Sequence, residues 1–232
     1  MASRTRGAFI VIEGLDRAGK STQASTLLTR LQSQSSAVLI KFPDRTTAIG
    51  KMIDAYLRSE VELDDRTIHL LFSANRWELA STIRTHLSAG TTVIADRYAF
   101  SGIAFSARKG LPYEWCRAPD IGLPSPDITL FLDISPQDAR ERGGYGEERY
   151  EKEPVQRGVK TVFERIGKEM SQNGWGKWVV IDAGKDRERV AGDVWTAVQE
   201  TQRTLRGTTE PVKRLWETRA NESIGSEGGI SI

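Results

Sequence analysis

Residues 9–22, FIVIEGLDRAGKST, decide the fold of this chain. The run begins with apolar, β-branched residues of the kind that form a buried parallel strand. The spacing G-x-x-x-x-G-K-S follows over residues 14–21, and a helical pattern then continues to residue 31. A strand, a glycine-containing turn and a helix in this order predict a phosphate-binding P-loop.

The residue types in this loop suit the phosphates of a nucleotide. Gly14 and Gly19 let the backbone turn so that its N–H groups point at phosphate oxygens. The start of the next helix adds the positive end of its dipole at the same place. The ammonium group of Lys20 suits the β- and γ-phosphates, and the hydroxyl of Ser21 suits Mg²⁺. The alternative is a glycine-rich turn that binds nothing.

Composition predicts an intracellular α/β protein. The chain has 232 residues, enough for one such domain or two small ones, and its formal net charge is +2. Because this charge is nearly balanced, we expect no nucleic-acid partner. Cys116 is the only cysteine, which favours a reducing compartment. We find no signal segment and no apolar run that could span a membrane, so we expect a cytoplasmic protein; the nucleus and mitochondrion remain open.

The rest of the chain alternates between apolar runs and helical patterns. Strands are predicted over residues 8–13, 37–42, 92–95, 127–133 and 178–181. Helices are predicted over residues 21–32, 47–57, 67–87, 99–108, 155–173 and 186–205, with one more opened by Ser135 and Pro136, whereas residues 110–126 read as a connection. This alternation predicts a five-stranded parallel sheet with helices on both faces. We expect one domain over residues 1–219, a mobile lid loop at about 141–153, and a disordered tail over 220–232.

Two arginines follow predicted strands at their carboxyl ends, where parallel sheets bind ligands. Arg45 comes after the second strand and Arg97 after the third. Both suit a substrate phosphate, and Asp96 suits Mg²⁺ held through water. The alternative is that the two arginines pair with the neighbouring carboxylates Asp44 and Asp96.

A third pattern lies within a predicted helix. Phe72 and Arg76 are four residues apart and therefore share a helix face. An aromatic ring beside a guanidinium group suits a nucleobase, which the ring can stack on and the guanidinium can hydrogen-bond. A helical phenylalanine is also common in a protein core, so the core reading stays open.

Charged residues flank the glycine-rich segment 143–146. Arg142 and Arg149, with Tyr150, lie beside it. Arginines on a closing loop suit charge stabilisation during phosphoryl transfer. A solvated charged loop is the alternative, because two glutamates stand there as well.

The segments GLDRAGKSTQ, KFPDR, HLLFSANRW, DRYAFSGIAF, DIGLPSPDITLFLD and GEERYE occur in this order. Together they closely resemble the thymidylate kinase family, in its eukaryotic branch, over residues 7–216. The resemblance implies a three-layer P-loop NTPase fold and the reaction of ATP with dTMP to give ADP and dTDP. It also implies Mg²⁺ as a cofactor with ATP, and a homodimer.

The resemblance further implies a site for dTMP. Phe72 is expected to stack on thymine, and Arg76 to hydrogen-bond its O4 edge. Asp16 is expected to reach the sugar 3′-hydroxyl, while Tyr98 occupies the space of a ribose 2′-hydroxyl. The implied dTMP site comprises Asp16, Phe42, Pro43, Arg45, Phe72, Arg76, Arg97, Tyr98, Ser101, Gly102, Phe105, Tyr150 and Gln156.

An ATP site and a catalytic set are implied in the same way. Arg17 matches the family branch that keeps its catalytic arginine in the P-loop, and the absence of basic residues from 143–146 agrees with that branch. Arg142 is expected against the adenine ring. The implied ATP site comprises Gly14, Leu15, Asp16, Arg17, Ala18, Gly19, Lys20, Ser21, Thr22, Arg142, Ala183, Gly184 and Lys185. The implied catalytic residues are Arg17, Lys20, Asp96 and Arg97, with Ser21 and Asp96 as the metal site.

Three other functions are compatible with a P-loop. A related kinase would use another acceptor, such as a deoxynucleoside, dUMP or UMP, but two phosphate-binding arginines favour a monophosphate over a nucleoside. A GTPase is disfavoured because the guanine-binding N-K-x-D pattern is absent. A nucleotide sensor without catalysis predicts losses among the four catalytic residues, and all four are present.

Overall fold

The structure is a computed structural model that describes residues 5–142, 149–150 and 153–217. Its strands are β1 (Phe9–Gly14), β2 (Ala37–Lys41), β3 (Thr92–Asp96), β4 (Ile128–Asp133) and β5 (Lys177–Asp182). They form one sheet in the order β2-β3-β1-β4-β5, and each neighbouring pair is parallel. The predicted five-stranded parallel sheet is confirmed.

The helices follow the predicted pattern closely. They are α1 (Lys20–Gln32), α2 (Ala48–Leu57), α3 (Asp65–Ser88), α4 (Ala99–Ala107), α5 (Tyr113–Arg117), α6 (Pro136–Glu141), α7 (Glu153–Asn173) and α8 (Arg187–Thr204). The connection predicted over residues 110–126 contains short helical elements that the sequence did not indicate. That segment contains α5 and a 3₁₀ turn, Ala118–Asp120, and Cys116 of α5 is buried in the core.

Helices cover both faces of the sheet, because its central strands are largely apolar on both sides. Every residue of β1 and β3 is buried, as expected for parallel strands with a helical layer on each face. Helices α1 and α8 contact each other and the sheet, and α4 contacts α3, α7 and β1 in a second helical group. The chain thus forms an α/β fold around one main hydrophobic core.

Strand register brings two distant sequence motifs together. Ile12 of β1 lies opposite Asp96 of β3, and the backbone N–H of Arg97 donates to the carbonyl of Ile12 at 2.9 Å. The P-loop leaves β1 two residues after Ile12, so its glycines emerge next to Asp96 and Arg97. The carboxyl edge of the sheet therefore carries both motifs, as the sequence predicts.

Two predictions fall largely or wholly outside the described residues. Of the predicted lid, only residues 141–142, 149–150 and 153 are described, and the predicted tail over residues 220–232 is not. Within the described ranges, the search for a helix both long and apolar enough to cross a bilayer finds none.

Candidate active site

One cavity of about 1070 Å³ joins the P-loop to the ends of β2 and β3 and to helices α3 and α4. It brings together most of the residues predicted for the two substrates. The predicted residues that line it are Asp16, Arg17, Gly19, Lys20, Ser21, Thr22, Phe42, Pro43, Arg45, Phe72, Arg76, Asp96, Arg97, Tyr98, Ser101, Gly102, Phe105, Arg142 and Tyr150. The remaining ones, Gly14, Leu15, Ala18, Gln156, Ala183, Gly184 and Lys185, do not line it.

The P-loop adopts a backbone conformation that favours glycine at both glycine positions of its motif. Gly14 has φ 150° and Gly19 has φ 87°, a region that other residues rarely adopt. A Cβ at Gly14 would also lie 2.5 Å from the carbonyl oxygen of Leu132 in β4. These two glycines therefore fix the turn that starts α1 immediately at Lys20.

Lys20 lies within the loop. Its side chain is almost buried, and Nζ donates to the carbonyl of Leu15 at 2.6 Å. Burial, together with the nearby charge of Arg97, lowers the pKa of Lys20 to about 8, although Asp16 and Asp96 act in the opposite direction. A phosphate group would supply the negative charge that this ammonium group needs to stay protonated at higher pH.

Ser21 and Asp96 link α1 to the end of β3. The hydroxyl of Ser21 donates to Oδ2 of Asp96 at 2.5 Å. A hydroxyl and a carboxylate beside a phosphate site are hard oxygen donors of the kind that suits Mg²⁺. No cluster of three or more acidic, histidine or cysteine ligands occurs in the described residues.

Asp16 joins the P-loop to Arg97 and to α7. Arg97 Nη2 donates to Oδ1 of Asp16. Gln156 Nε2 donates to Oδ2 of the same carboxylate at 2.6 Å, and Asp16 N donates to Oε1 of Gln156 at 2.9 Å. Burial disfavours the ionised form of Asp16, but Arg97 and Lys20 outweigh it, so its pKa lies below the usual value. Gln156 thus reaches the site by holding Asp16.

Arg45 lies at the more open edge of the cavity. Its Nη1 donates to Oδ1 of Asp54 in α2 at 2.6 Å, and 42% of its side chain is exposed. The open alternative for Arg45 and Arg97 was pairing with Asp44 and Asp96. Instead, Arg45 hydrogen-bonds Asp54 and Arg97 hydrogen-bonds Asp16.

The other end of the cavity is formed by α3. Phe72 is half-buried and lines the cavity. Arg76 is buried and forms a two-point ion pair with Asp120, through Nε to Oδ1 at 3.1 Å and Nη2 to Oδ2 at 2.6 Å. Asp120 was not predicted from the sequence. It gives no local signal, because its partner lies 44 residues earlier and its segment reads as a connection.

Glu13 is a second residue that sequence reasoning missed. It is fully buried, and its Oε1 accepts from the backbone N–H of Tyr98 at 2.9 Å and of Ser101 at 3.0 Å. Its Oε2 accepts from the Ser101 hydroxyl at 2.6 Å. Burial raises the pKa of Glu13. The signal was a glutamate within an otherwise apolar strand, which serves here to hold the turn that carries Arg97.

Two aromatic residues complete the pocket walls. Tyr98 is buried beside the rings of Phe9 and Phe42, and its hydroxyl donates to the Pro124 carbonyl at 3.0 Å. Tyr150 faces the ring of Phe105 at a centroid distance of 5.1 Å. Tyr150 also accepts at its carbonyl from Gln156 at 3.0 Å.

The predicted adenine side lies next to the P-loop. Arg142 Nη1 donates to the carbonyl of Arg17 at 3.2 Å, and its Nη2 donates to the carbonyl of Ala183. Arg142 therefore bridges the P-loop and the turn after β5. Lys185, farther along that turn, pairs with Asp193 at 2.8 Å. Arg149, by contrast, donates to the carbonyl of Tyr56 at the end of α2 at 3.0 Å and pairs with Glu62, in the segment after that helix, at 2.6 Å.

The comparisons with known proteins agree on one family. The sequence model of the thymidylate kinase family matches residues 12–194. The thymidylate kinase of Schizosaccharomyces pombe is 54% identical over 195 residues, which are 84% of this chain and 92% of that protein. The human thymidylate kinase is 43% identical over 219 residues, covering 94% of this chain and all of the human protein.

A solved structure gives the same answer. A thymidylate kinase from Candida albicans superimposes with a TM-score of 0.81 at 38% sequence identity, over 90% of this chain and 98% of that one. The match to the family's sequence model, over residues 12–194, includes the P-loop, helix α3 and Arg97. The chain therefore belongs to the thymidylate kinase family.

Proposed function

We propose that this chain transfers the γ-phosphoryl group of ATP to dTMP, giving ADP and dTDP for DNA synthesis. The observation that carries the proposal is one continuous cavity that connects Lys20 of the P-loop to Arg97, Phe72 and Arg76. A phosphoryl donor held on the P-loop and an acceptor held against α3 would meet within it. Thymidylate kinases are named for this reaction, and the chain belongs to their family.

The chemistry requires alignment and charge neutralisation more than proton transfer. The acceptor phosphate is already an anion, so no general base is needed to activate it. Lys20, Arg17 and Arg97 line the cavity and would neutralise charge on the transferred group between the two phosphates. Mg²⁺ held near Ser21 and Asp96 would supply further positive charge to the ATP phosphates.

Recognition of the acceptor would divide between the two ends of the cavity. Arg45 and Arg97 would bind the dTMP phosphate, and Asp16 the 3′-hydroxyl. Phe72 would stack on thymine while Arg76 binds O4. The buried Tyr98 supports exclusion of a ribose 2′-hydroxyl, because its ring is fixed between two aromatic neighbours. A site built for hydrogen bonding discriminates strongly against a base that lacks the matching group.

The proposal includes a homodimer in the cytoplasm. Exposed apolar side chains on α2 and α3, Met52 and Leu70, support a contact between two copies. The single cysteine supports a reducing compartment. Size-exclusion chromatography with light scattering would measure the molar mass against 25.8 kDa for one chain.

The test is ADP release from ATP and Mg²⁺ with a panel of acceptors: dTMP, dUMP, UMP, AMP and GMP. We expect the largest kcat/KM with dTMP, and loss of at least about 1000-fold in Lys20→Ala, because P-loop charge acts directly on the transferred phosphates. Thermal unfolding of this variant with and without dTMP controls for folding.

Other outcomes identify the rival functions. Preferred turnover of AMP, GMP or UMP would leave the P-loop role intact and reject the base pocket formed by Phe72 and Arg76. Tight ATP binding with no turnover of any acceptor would indicate a nucleotide sensor and reject the kinase.

A further inference from the structure

Arg76 and Asp120 form the most buried of the described ion pairs that involve the cavity arginines Arg45, Arg76 and Arg97. The exposed fractions of the Arg76 and Asp120 side chains are 3% and 0%. Asp120 takes two of the three guanidinium nitrogens, Nε and Nη2, at 3.1 and 2.6 Å. This geometry fixes the plane of the guanidinium group and leaves Nη1 as the nitrogen that Asp120 does not hold.

Asp120 is itself fixed by α3. Along one face of this helix, four side chains bond to the segment 116–120. His69 bonds to the carbonyl of Cys116 at 2.9 Å, and Trp77 Nε1 donates to that of Pro119 at 2.7 Å. Between them, Ser73 donates to Oδ1 of Asp120 at 2.7 Å. The carboxylate is therefore anchored to the helix that carries Arg76.

A glycine allows the guanidinium group to lie where it does. A Cβ on Gly102 of α4 would stand 2.8 Å from Nη2 and 3.0 Å from Nη1 of Arg76. Both Gly102 and Arg76 line the cavity. The guanidinium group is thus confined by Asp120 and by the backbone of α4, so neither shift nor rotation is open to it without breaking a buried contact.

We infer that Asp120 is a positioning residue that makes Arg76 select the base by its substituent at position 4. The inference rests on the proposed function, in which Arg76 contacts the base edge of dTMP. A fixed N–H can donate to a carbonyl oxygen at position 4. It disfavours an amino group there, because two hydrogen-bond donors would face each other. A guanidinium group that could turn would tolerate both.

The test compares dTMP with 5-methyl-dCMP, which shares the 5-methyl group and differs at position 4 and at the N3 proton. The measured quantity is the ratio of their kcat/KM values, which does not depend on the fraction of folded enzyme. In Asp120→Asn an amide N–H replaces one carboxylate oxygen and opposes an arginine donor. We expect the preference for dTMP to fall by about tenfold or more.

Three further variants separate positioning from general damage. Ser73→Ala removes one bond to Asp120 but leaves both bonds between Asp120 and Arg76, so its ratio should fall much less than that of Asp120→Asn. Gly102→Ala keeps both partners of the ion pair but forces the guanidinium group to move, so the ratio should fall. This variant carries the test if Asp120→Asn does not fold. In an Arg76→Lys background, Asp120→Asn should change the ratio no further, because its effect acts through Arg76.

The outcomes distinguish the two claims. Wild-type turnover of dTMP with an unchanged ratio in both Asp120→Asn and Gly102→Ala would overturn the positioning role alone. The positioning role would also be overturned if Asp120→Asn lowered the kcat/KM ratio equally whether residue 76 is Arg or Lys. Turnover of neither substrate by the wild type would overturn the proposed function and this inference together.

Discussion

The two ends of the cavity use the same chemical pair in different surroundings. The phosphate end is the part of the cavity proposed for the dTMP phosphate; there the exposed side-chain fractions are 42% and 22% for Arg45 and Asp54, and 24% and 11% for Arg97 and Asp16. The base end is the part proposed for thymine, where those of Arg76 and Asp120 are 3% and 0%. If a phosphate displaced Asp54, water could solvate that carboxylate, and a displaced Asp16 would keep its bond from Gln156. A displaced Asp120 would stay buried without a counter-ion.

This difference separates exchangeable pairs from fixed ones. A substrate phosphate is an anion that, like a carboxylate, can accept two N–H bonds from one guanidinium group, so it could replace Asp54 or Asp16 as the arginine's partner. No part of a neutral base could replace Asp120 in that way. The phosphate end is therefore built for exchange of ion pairs on binding, and the base end for rigidity.

Among the arginines of the cavity, Arg97 should show the largest effect, because the proposed function places it where both substrates would meet. Replacement by alanine removes a charge from the path of the transferred group and leaves the buried Asp16 without its arginine. We expect kcat/KM for dTMP to fall roughly 1000-fold, with kcat itself reduced. Steady-state kinetics with saturating ATP measures this.

Arg97→Lys is the matched control, since it keeps the charge but loses the two-nitrogen geometry. It should recover part of kcat. A fall of less than tenfold in Arg97→Ala would contradict the role of this guanidinium in transfer and would make the two ends of the cavity more alike.

Arg45 should have an intermediate effect that appears in KM. Arg45→Ala removes one partner of the dTMP phosphate at the exposed edge, so we expect KM for dTMP to rise about tenfold with kcat little changed. Asp54→Asn is the matched variant, because it removes the competing carboxylate and keeps the arginine. KM for dTMP should then stay level or fall.

The Asp54 variant tests the comparison directly. Loss of the carboxylate should be harmless at the exposed pair and harmful at the buried one. A rise in KM for dTMP in Asp54→Asn as large as that in Arg45→Ala would show that Asp54 positions Arg45, and the distinction between exchangeable and fixed pairs would fail.

The smallest effect should come from pH. Because burial lowers the pKa of Lys20 to about 8, the enzyme without bound nucleotide loses this charge above that pH. We expect kcat/KM for ATP to fall about fourfold between about pH 7 and pH 8.5, while kcat falls only at higher pH, since bound phosphates favour the ammonium form. Lys20→Arg, charged throughout, should give a lower but flat profile.

The same group affects stability with the opposite sign. Between pH 8 and 10.5 the unfolded chain holds a proton on Lys20 that the folded chain has released. The contribution of Lys20 to the free energy of unfolding therefore rises with pH across this window. A kcat/KM profile for ATP that stays flat to pH 9.5 in the wild type would contradict the lowered pKa.

The sequence predicted the phosphate end better than the base end. The P-loop, Asp96 and Arg97 lie directly after strands, and strand order brings such residues to one edge of a parallel sheet. Asp120 lacked any such rule, because a 3₁₀ turn inside a connection gives no periodic signal and its contacts depend on how α5 folds back on α3. Glu13 was visible as a charge within β1, but its partners Tyr98 and Ser101, at the start of α4, lie 85 and 88 residues away.

The fluorescence of Trp77 can report on the contact between α3 and segment 116–120. Of the six tryptophans, it is the one with an exposed side chain, at 41%, and the others are buried or half-buried. Its indole N–H donates to the carbonyl of Pro119, next to Asp120. Fluorescence that a water-soluble quencher reaches therefore arises mainly from this ring, and its wavelength reports the surroundings of the Arg76–Asp120 pair without any added label.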